Sequence, residues 1–391
     1  MPKQKNGQID MNKWKKVKLG DIATYINGCA FKPSDWSNQG VPIVRIQNLT
    51  ASFSETNYYD KHYNSKYEIN NGDVLISWSA SLGVYVWDKG KAILNQHIFK
   101  VVFNKIDVDK TYFIFAVKSL LEKMEKQTHG ATMKHITKPL FDNMEFPFPA
   151  MEEQKKIAAR LDAVSDLLAK QKQLLSEQDN LIQSTFYDMF GTPFKNEKGW
   201  NSKKLSELGS LKNGINFQKN DNESDLYCLG VADFKDNKYI SDISALQKVP
   251  SKSVNLTEDL LKNGDIVFVR SNGNKALVGR CVAVYPNEEA VTFSGFCIRF
   301  RKSTTLIKTD YLLYFLKTPQ VRNALAGRGA NIQNLNQQIL SRVNILCPPL
   351  ELQQKFAAVA EQIESEKSKI KSAIAETQTL FNALMAEYFE E

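Results

Sequence analysis

Pro147-Phe148-Pro149-Ala150-Met151-Glu152-Glu153-Gln154 opens a run that reads as one long helix to Phe190, and it occurs twice: Leu346-Cys347-Pro348-Pro349-Leu350-Glu351-Leu352-Gln353 opens a second run to Phe389. Pro149 matches Pro348, Glu152 matches Glu351, Gln154 matches Gln353 and Phe190 matches Phe389. Each pair is 199 residues apart, and no gap is needed between them. Proline suits the entry to a helix and is excluded from its interior. Glu152 and Glu153 put negative charge in the first turn, where the helix dipole favours it. Gly191 and Pro193 follow Phe190 as a stop signal. The chain therefore reads as two copies of one plan, each a globular lobe followed by a long helix.

The apolar stripe of the first helix is Ile157, Leu161, Val164, Leu168, Gln171, Leu175, Gln178, Ile182, Thr185 and Met189. That of the second is Phe356, Ala360, Ile363, Lys367, Ile370, Ile374, Thr377, Phe381, Leu384 and Tyr388. Alternating steps of four and three are the period of a coiled coil. Two matched stripes of equal length predict that the helices pair with each other as a coiled coil. The alternative is two amphipathic helices, each packed on its own lobe. Gln171, Gln178 and Lys367 interrupt the seam and would fix its register.

The repeat extends into the lobes. Trp14-Lys15-Lys16-Val17-Lys18-Leu19-Gly20-Asp21-Ile22 has its twin in Trp200-Asn201-Ser202-Lys203-Lys204-Leu205-Ser206-Glu207-Leu208. Asn27-Gly28 matches Asn213-Gly214. The turn-and-strand Asn70-Asn71-Gly72-Asp73-Val74-Leu75-Ile76-Ser77 matches Lys262-Asn263-Gly264-Asp265-Ile266-Val267-Phe268-Val269. A helical run from Tyr112 to Glu125 matches one from Tyr311 to Leu325, and each leads to a polar glycine loop. The fold class is α+β: two α/β domains in tandem, each followed by a long helix. The boundaries read as a tail over 1–13, a first domain over 14–148, its helix over 149–190, a linker over 191–199, a second domain over 200–347 and its helix over 348–391.

Composition agrees with a soluble globular chain: 391 residues, 42% hydrophobic and 24% charged. The polar N-terminus reads as a short disordered leader, not a signal peptide. No apolar run approaches a membrane span. Five cysteines without metal-ligand spacing (Cys29, Cys228, Cys281, Cys297, Cys347) read as reduced thiols of a cytoplasmic protein. A net charge of +8 is compatible with a polyanionic partner.

Taken together, the Trp14…Leu19-Gly20-Asp21-Ile22 opening, Asn71-Gly72-Asp73-Val74-Leu75, Gly130-Ala131-Thr132…Ile136, and Pro147-Phe148-Pro149 before Glu152-Glu153-Gln154-Lys155-Lys156-Ile157 resemble the specificity subunits of type I restriction-modification systems. The resemblance covers residues 14 to 391. The second copy departs from it, with Glu351-Leu352-Gln353-Gln354-Lys355-Phe356 at its helix start. The resemblance implies two target recognition domains, each reading one half of a bipartite site in double-stranded DNA. It implies that the two helices pair as an antiparallel coiled-coil spacer with pseudo-two-fold symmetry, and it implies two docked methyltransferase subunits and restriction/translocase subunits that join the complex. It implies neither a cofactor nor catalysis by this chain. A helix of about 40 residues is roughly 60 Å long. Lobes set about one DNA turn apart would read half-sites of about 3 to 5 base pairs across a gap of about 5 to 8.

The residues offer little chemistry of their own. The one Pro-Pro, Pro348-Pro349, lacks the preceding Asn or Asp and the following aromatic of an amino-methyltransferase. No phosphate loop and no zinc spacing occurs. The histidines (His62, His97, His129, His135) all lie in the first lobe, and Asp233 and Asp236 beside Lys235 and Lys238 read as a solvated turn. Base reading needs polar side chains on loops or helix ends. The candidates in the first lobe are Arg45, Gln47, Asn48, Ser77, Ser79, Ser81, Lys134 and His135, with Trp78 read as core. In the second they are Arg270, Asn272, Asn274 and Lys275 as the densest cluster, then Arg328, Asn331, Gln333, Asn334 and Gln337. Each taken singly is equally at home as a solvated or structural polar group. Two other functions stay open: a structural scaffold that holds protein partners, and a fused methyltransferase, for which the chain is short and lacks the motif.

Overall fold

The computed structural model describes residues 14–50, 55–127, 136–217, 226–235, 237–251, 254–326 and 334–390. The 1–13 tail, His129, Asp236, Lys134, His135, Arg328, Asn331 and Gln333 lie outside the described residues, as do 130–135 and 329–333 of the two glycine loops. Contacts divide the chain into two compact units. One is Met1–Gln173 with Lys371–Glu391, and the other is Leu174–Ile370. Each unit thus holds one lobe and a part of both long helices. Among the described residues, no helix is long and apolar enough to cross a membrane.

Among the described residues each lobe is built on two sheets of three to five strands and a two-stranded antiparallel ribbon, Lys15–Lys18 with Glu145–Phe148 in the first and Ser202–Lys204 with Asn344–Leu346 in the second. In the first unit, strands Thr24–Asn27, Ile98–Val102, Val74–Ser77 and Gly83–Val86 lie side by side in that order, all antiparallel. The second sheet runs Asn57–Tyr59, Val41–Val44, Ala92–Leu94, Glu68–Ile69, and its central pair is parallel. Side chains alternate across a strand, and here both faces are covered. Val74 and Ile76 face the main core with helix Lys110–Gln127, whereas Leu75 faces a smaller core with Val44, Ile69 and Leu94. The same division recurs in the second unit, where Ile266 and Phe268 join one core and Val267 and Val269 the other. That is why both strands read as unbroken apolar runs.

The turn before this strand explains its sequence. Gly72 and Gly264 have φ of +87° and +84°, which glycine tolerates best. The next aspartate closes the turn: Asp73 Oδ2 accepts from the Asn70 N–H at 2.8 Å, and Asp265 Oδ2 from the Lys262 N–H at 2.7 Å. Arg301 then donates to both oxygens of the buried Asp265, at 2.9 and 2.7 Å.

The helical run of the second lobe differs from its reading as one helix. It is two, Thr309–Lys317 and Pro319–Ala326, where the first lobe has the single helix Lys110–Gln127. Pro319 has no N–H and drives the residue before it out of helical geometry. Thr318 is accordingly extended (φ −58°, ψ 143°).

The two long helices are Met151–Phe190 and Leu350–Phe389. Each start is tied to its lobe by the buried glutamine of the repeated motif. Gln154 Nε2 donates to the Pro149 carbonyl at 2.9 Å, and its Oε1 accepts from the Asp109 N–H at 2.9 Å. Gln353 Nε2 donates to the carbonyls of Pro348 (2.8 Å) and Leu306 (3.0 Å), and its Oε1 accepts from the Lys308 N–H at 2.7 Å. Tyr112 and Tyr311 repeat the pattern with hydroxyls donating to Pro147 O and Leu346 O.

Within each unit the helices pair antiparallel, the start of one beside the end of the other. In the first unit Ile157, Leu161 and Leu168 share a core with Phe381, Met385, Tyr388 and Phe389. Gln171 Nε2 donates to Thr377 Oγ1 at 3.2 Å, and Arg160 to the Tyr388 hydroxyl at 2.9 Å. In the second unit Ile182, Phe186 and Phe190 meet Phe356, Ala360 and Ile363. There the buried Lys367 bonds Asp179 at 2.5 Å and Glu364 at 3.2 Å. Every residue of both seams is buried or half-buried, whereas Leu167, Leu174 and Leu181 on the first helix are exposed. Each helix end also enters a lobe core: the Phe389 ring lies 5.6 Å from Tyr112, and that of Phe190 4.7 Å from Tyr311.

Candidate nucleic-acid interface

In each lobe three chain segments meet at one end of the sheets. In the second lobe they are the segment after strand Leu226–Leu229, the turn Ser294-Gly295-Phe296, and the loop after strand Asp265–Val269. Ser294 N–H donates to Leu229 O at 3.0 Å. Arg270 N–H donates to Phe296 O at 2.8 Å, and Leu335 N–H to Arg270 O at 2.8 Å. Ser271 bridges to Asn334. The three segments are thus stitched by backbone bonds, and their side chains are presented on a fixed frame.

The first lobe repeats these bonds. Asn95 N–H donates to Val44 O (3.0 Å), Trp78 N–H to His97 O (3.2 Å) and Ile136 N–H to Trp78 O (2.9 Å). Glycines make the approach possible. A Cβ on Gly28 would lie 2.0 Å from Asn95 O, and one on Gly214 2.1 Å from Ser294 O. The positions therefore correspond: Arg45 to Gly230, Gln47 to Ala232, Asn48 to Asp233, Trp78 to Arg270, His97 to Phe296. Asn48 and Asp233 do the same work, accepting from Arg45 N–H (2.9 Å) and Gly230 N–H (2.8 Å). The other four pairs differ in charge, polarity or size.

This frame sorts the candidates. Arg270 is half-buried, with Nη1 3.4 Å from Gly295 O along the turn. Asn272 Oδ1 accepts from Asn274 N–H (2.8 Å) and Asn274 Oδ1 from Ala276 N–H (3.0 Å), so both amides shape the loop as they project from it. The Lys275 side chain lies outside the described residues. Asn334 is exposed on the same frame. Gln337, with its amide oriented to suit its neighbours, donates to Leu211 O and accepts from Asn213 N–H, both at 3.2 Å. In the first lobe Gln47 is exposed, and Arg45 is anchored by Glu55 O (3.1 Å) and the Trp36 ring (5.0 Å). Ser77 and Ser79 are buried, and Ser77 Oγ donates to Ser81 O at 2.5 Å. They brace the loop from inside, and only Ser81 is exposed. Trp78 packs on Phe99 (5.6 Å) and His97 (4.8 Å), and its Nε1 donates to Asn27 Oδ1 at 3.2 Å.

Sequence reasoning passed over Phe296, a residue 58% exposed at the tip of the turn. A signal was present: it stands at the position of His97, 199 residues on. The five cysteines are free thiols, and burial pushes Cys228 up to about 12 and also raises Cys281 and Cys347. Among the described residues no three His, Cys, Asp or Glu side chains are grouped to hold a metal ion.

Comparison with known proteins places this frame. The family described as "Type I restriction modification DNA specificity domain" matches twice, over residues 11–177 and 197–377. The chain is 22% identical to the type I restriction enzyme EcoBI specificity subunit of Escherichia coli, over 98% of this chain and 87% of the relative. It is 24% identical to the StySPI specificity subunit of Salmonella potsdam, over 96% and 88%. A crystal structure of the type I restriction-modification system S subunit from M. genitalium shares the fold with a TM-score of 0.56 and 15% identity, covering 99% of this chain and 98% of that one. A structure solved for complex assembly and conformational transition of the type I R-M system gives 0.58 and 16%, covering 99% of both chains. With two tandem copies of the domain matched across most of its length, the chain belongs to the type I restriction-modification DNA specificity family.

Proposed function

We propose that this chain is the DNA sequence-specificity subunit of a type I restriction-modification complex, with each domain reading one half of an asymmetric bipartite site. The observation that carries the reading is a shared frame with unlike contents. The same backbone bonds hold the same three segments in both lobes, while Arg45, Gln47, Trp78 and His97 in one stand against Gly230, Ala232, Arg270 and Phe296 in the other. Base edges are told apart by the donors, acceptors and apolar groups set against them, so unlike contents read unlike half-sites. The recognition domains are taken as 14–148 and 200–347, and the helices 149–190 and 348–391 as the spacer. The helices dock two methyltransferase subunits, and restriction/translocase subunits join them in the cytoplasm. The chain itself is a non-catalytic subunit, since it supplies recognition and its partners the chemistry.

The test is a genome-wide map of methylated bases in cells carrying this chain with its methyltransferase subunits, against cells lacking the chain. An asymmetric two-part motif that disappears with the chain supports the reading. An assembled complex with no chain-dependent motif leaves a protein scaffold instead. One heptad inserted into each helix lengthens the spacer by about 10 Å, or about three base pairs. The gap should grow and the half-sites stay as they were.

A further inference from the structure

We infer that Phe296 is a specificity-determining residue of the second domain, and that its ring contacts the C5-methyl group of a thymine in the half-site read there. The inference rests on the DNA-reading function proposed above and assigns one side chain its ligand.

Three observations meet at this residue. The residue is 58% exposed, on a turn whose neighbours are otherwise committed to the fold: Cys297 and Phe293 are fully buried, and Ser294 N–H bonds Leu229 O. The turn is fixed from behind. Phe296 O accepts from Arg270 N–H (2.8 Å) and Ser271 N–H (3.4 Å), Phe296 N–H donates to Ser294 Oγ (3.3 Å), and Gly295 N–H to Ile215 O (2.7 Å). The third observation is its setting. Arg270 lies along the same turn with Nη1 3.4 Å from Gly295 O, and Asn334 and Asn272 stand on the segments bonded to it. A lone exposed apolar side chain needs no explanation by itself. A rigidly mounted ring among hydrogen-bonding side chains matches what a major-groove edge presents at an A·T pair, an apolar methyl beside donors and acceptors. In the first lobe the equivalent ring, His97, is packed against Trp78. The apolar contact is therefore a property of the second half-site alone.

The experiment uses the chain in complex with its methyltransferase subunits. Phe296→Ala and Phe296→Leu are compared with the unaltered chain in the methylation map. Methylation is then measured in vitro on DNA in which each thymine of the second half-site is replaced in turn by uracil. With Phe296 present, one uracil should lower methylation about fourfold, the factor that burying one methyl group carries. With Phe296→Ala the same uracil should have no effect, and the motif should become degenerate at that position only. Phe296→Leu, still apolar, should keep part of the discrimination. A second half-site without thymine, a motif unchanged by Phe296→Ala, or equal uracil effects in both proteins would overturn the assignment. A map with no chain-dependent motif would instead remove the underlying function, so the two failures are told apart.

Discussion

Gln353→Glu changes one buried amide into an acid of the same shape, and its cost should depend steeply on pH. Gln353 is fully buried, donates to two carbonyls and accepts from one backbone N–H. A protonated glutamic acid can accept from Lys308 N–H and donate to one of the two carbonyls. It loses one hydrogen bond, about 1 kcal/mol. An ionised one faces two carbonyl oxygens out of water. Burial of this kind raises a carboxyl pKa by about 3 units from its unfolded value of about 4.3, which corresponds to about 4 kcal/mol. The folded value is raised, so the variant is near its full stability below the unfolded value and loses it as pH rises toward the folded value near about 7. Thermal unfolding of the complete chain with its methyltransferase subunits, from about pH 4.5 to 8 beside the unaltered protein, reads the difference. In a unit of this size about 4 kcal/mol corresponds to about 8–16 °C. A gap between the two proteins that stays constant across the range would refute the claim that Gln353 is held dry between helix and lobe.

Other substitutions test other joints. In a denaturant titration, Gly214→Ala, which sets a Cβ 2.1 Å from Ser294 O, should destabilise the second unit by about 3 kcal/mol or more, whereas Gly273→Ala, with nothing within 4 Å, should be neutral. Arg301→Met leaves the carboxylate of Asp265 buried without its two-pronged partner and should cost about 3 kcal/mol, part of which Asp265→Asn in the same chain should restore. Lys367→Glu sets like charges beside Asp179 and Glu364 and should loosen helix pairing in the second unit, seen as faster amide exchange along both helices there. Burial pushes Glu364 upward, but Lys238 and Lys367 outweigh it and hold its carboxyl below the usual range. Its contribution is present above the ordinary glutamate value and lost as pH falls through the folded one, so Glu364→Gln should flatten the acid side of the stability profile below about pH 4.

The repeat made most of the fold legible, because matched residues at a constant spacing report shared geometry whatever their identity. Gln154 and Gln353 stood out as a pair before their bonds were known, and the seams could be written down from period alone. What stayed hidden depended on tertiary environment. Ser77 and Ser79 have the composition of a reading loop, yet the first ends strand Val74–Ser77, the second follows it closely, and both lie below the surface. Lys367 reads as a flaw in an apolar stripe, and the acids that accommodate it lie on the facing helix and one turn away. Pro319 breaks the second helical run, although its surroundings match an unbroken helix in the first lobe. Phe296 lies between apolar strands, where an aromatic residue ordinarily signifies core, and only the fold shows it exposed.

The core of the first unit also orders events in time. Its residues up to Gln173 leave the ribosome early, but Phe381, Met385, Tyr388 and Phe389, which complete that core, are made roughly 200 residues later. At about 5–20 residues per second the first lobe waits about 10–40 s with this apolar face uncovered, whereas the second meets its share of the first helix as soon as it is made. The nascent chain thus exposes Tyr112 and its neighbours longest, and co-translational helpers or early aggregation should act on that face first.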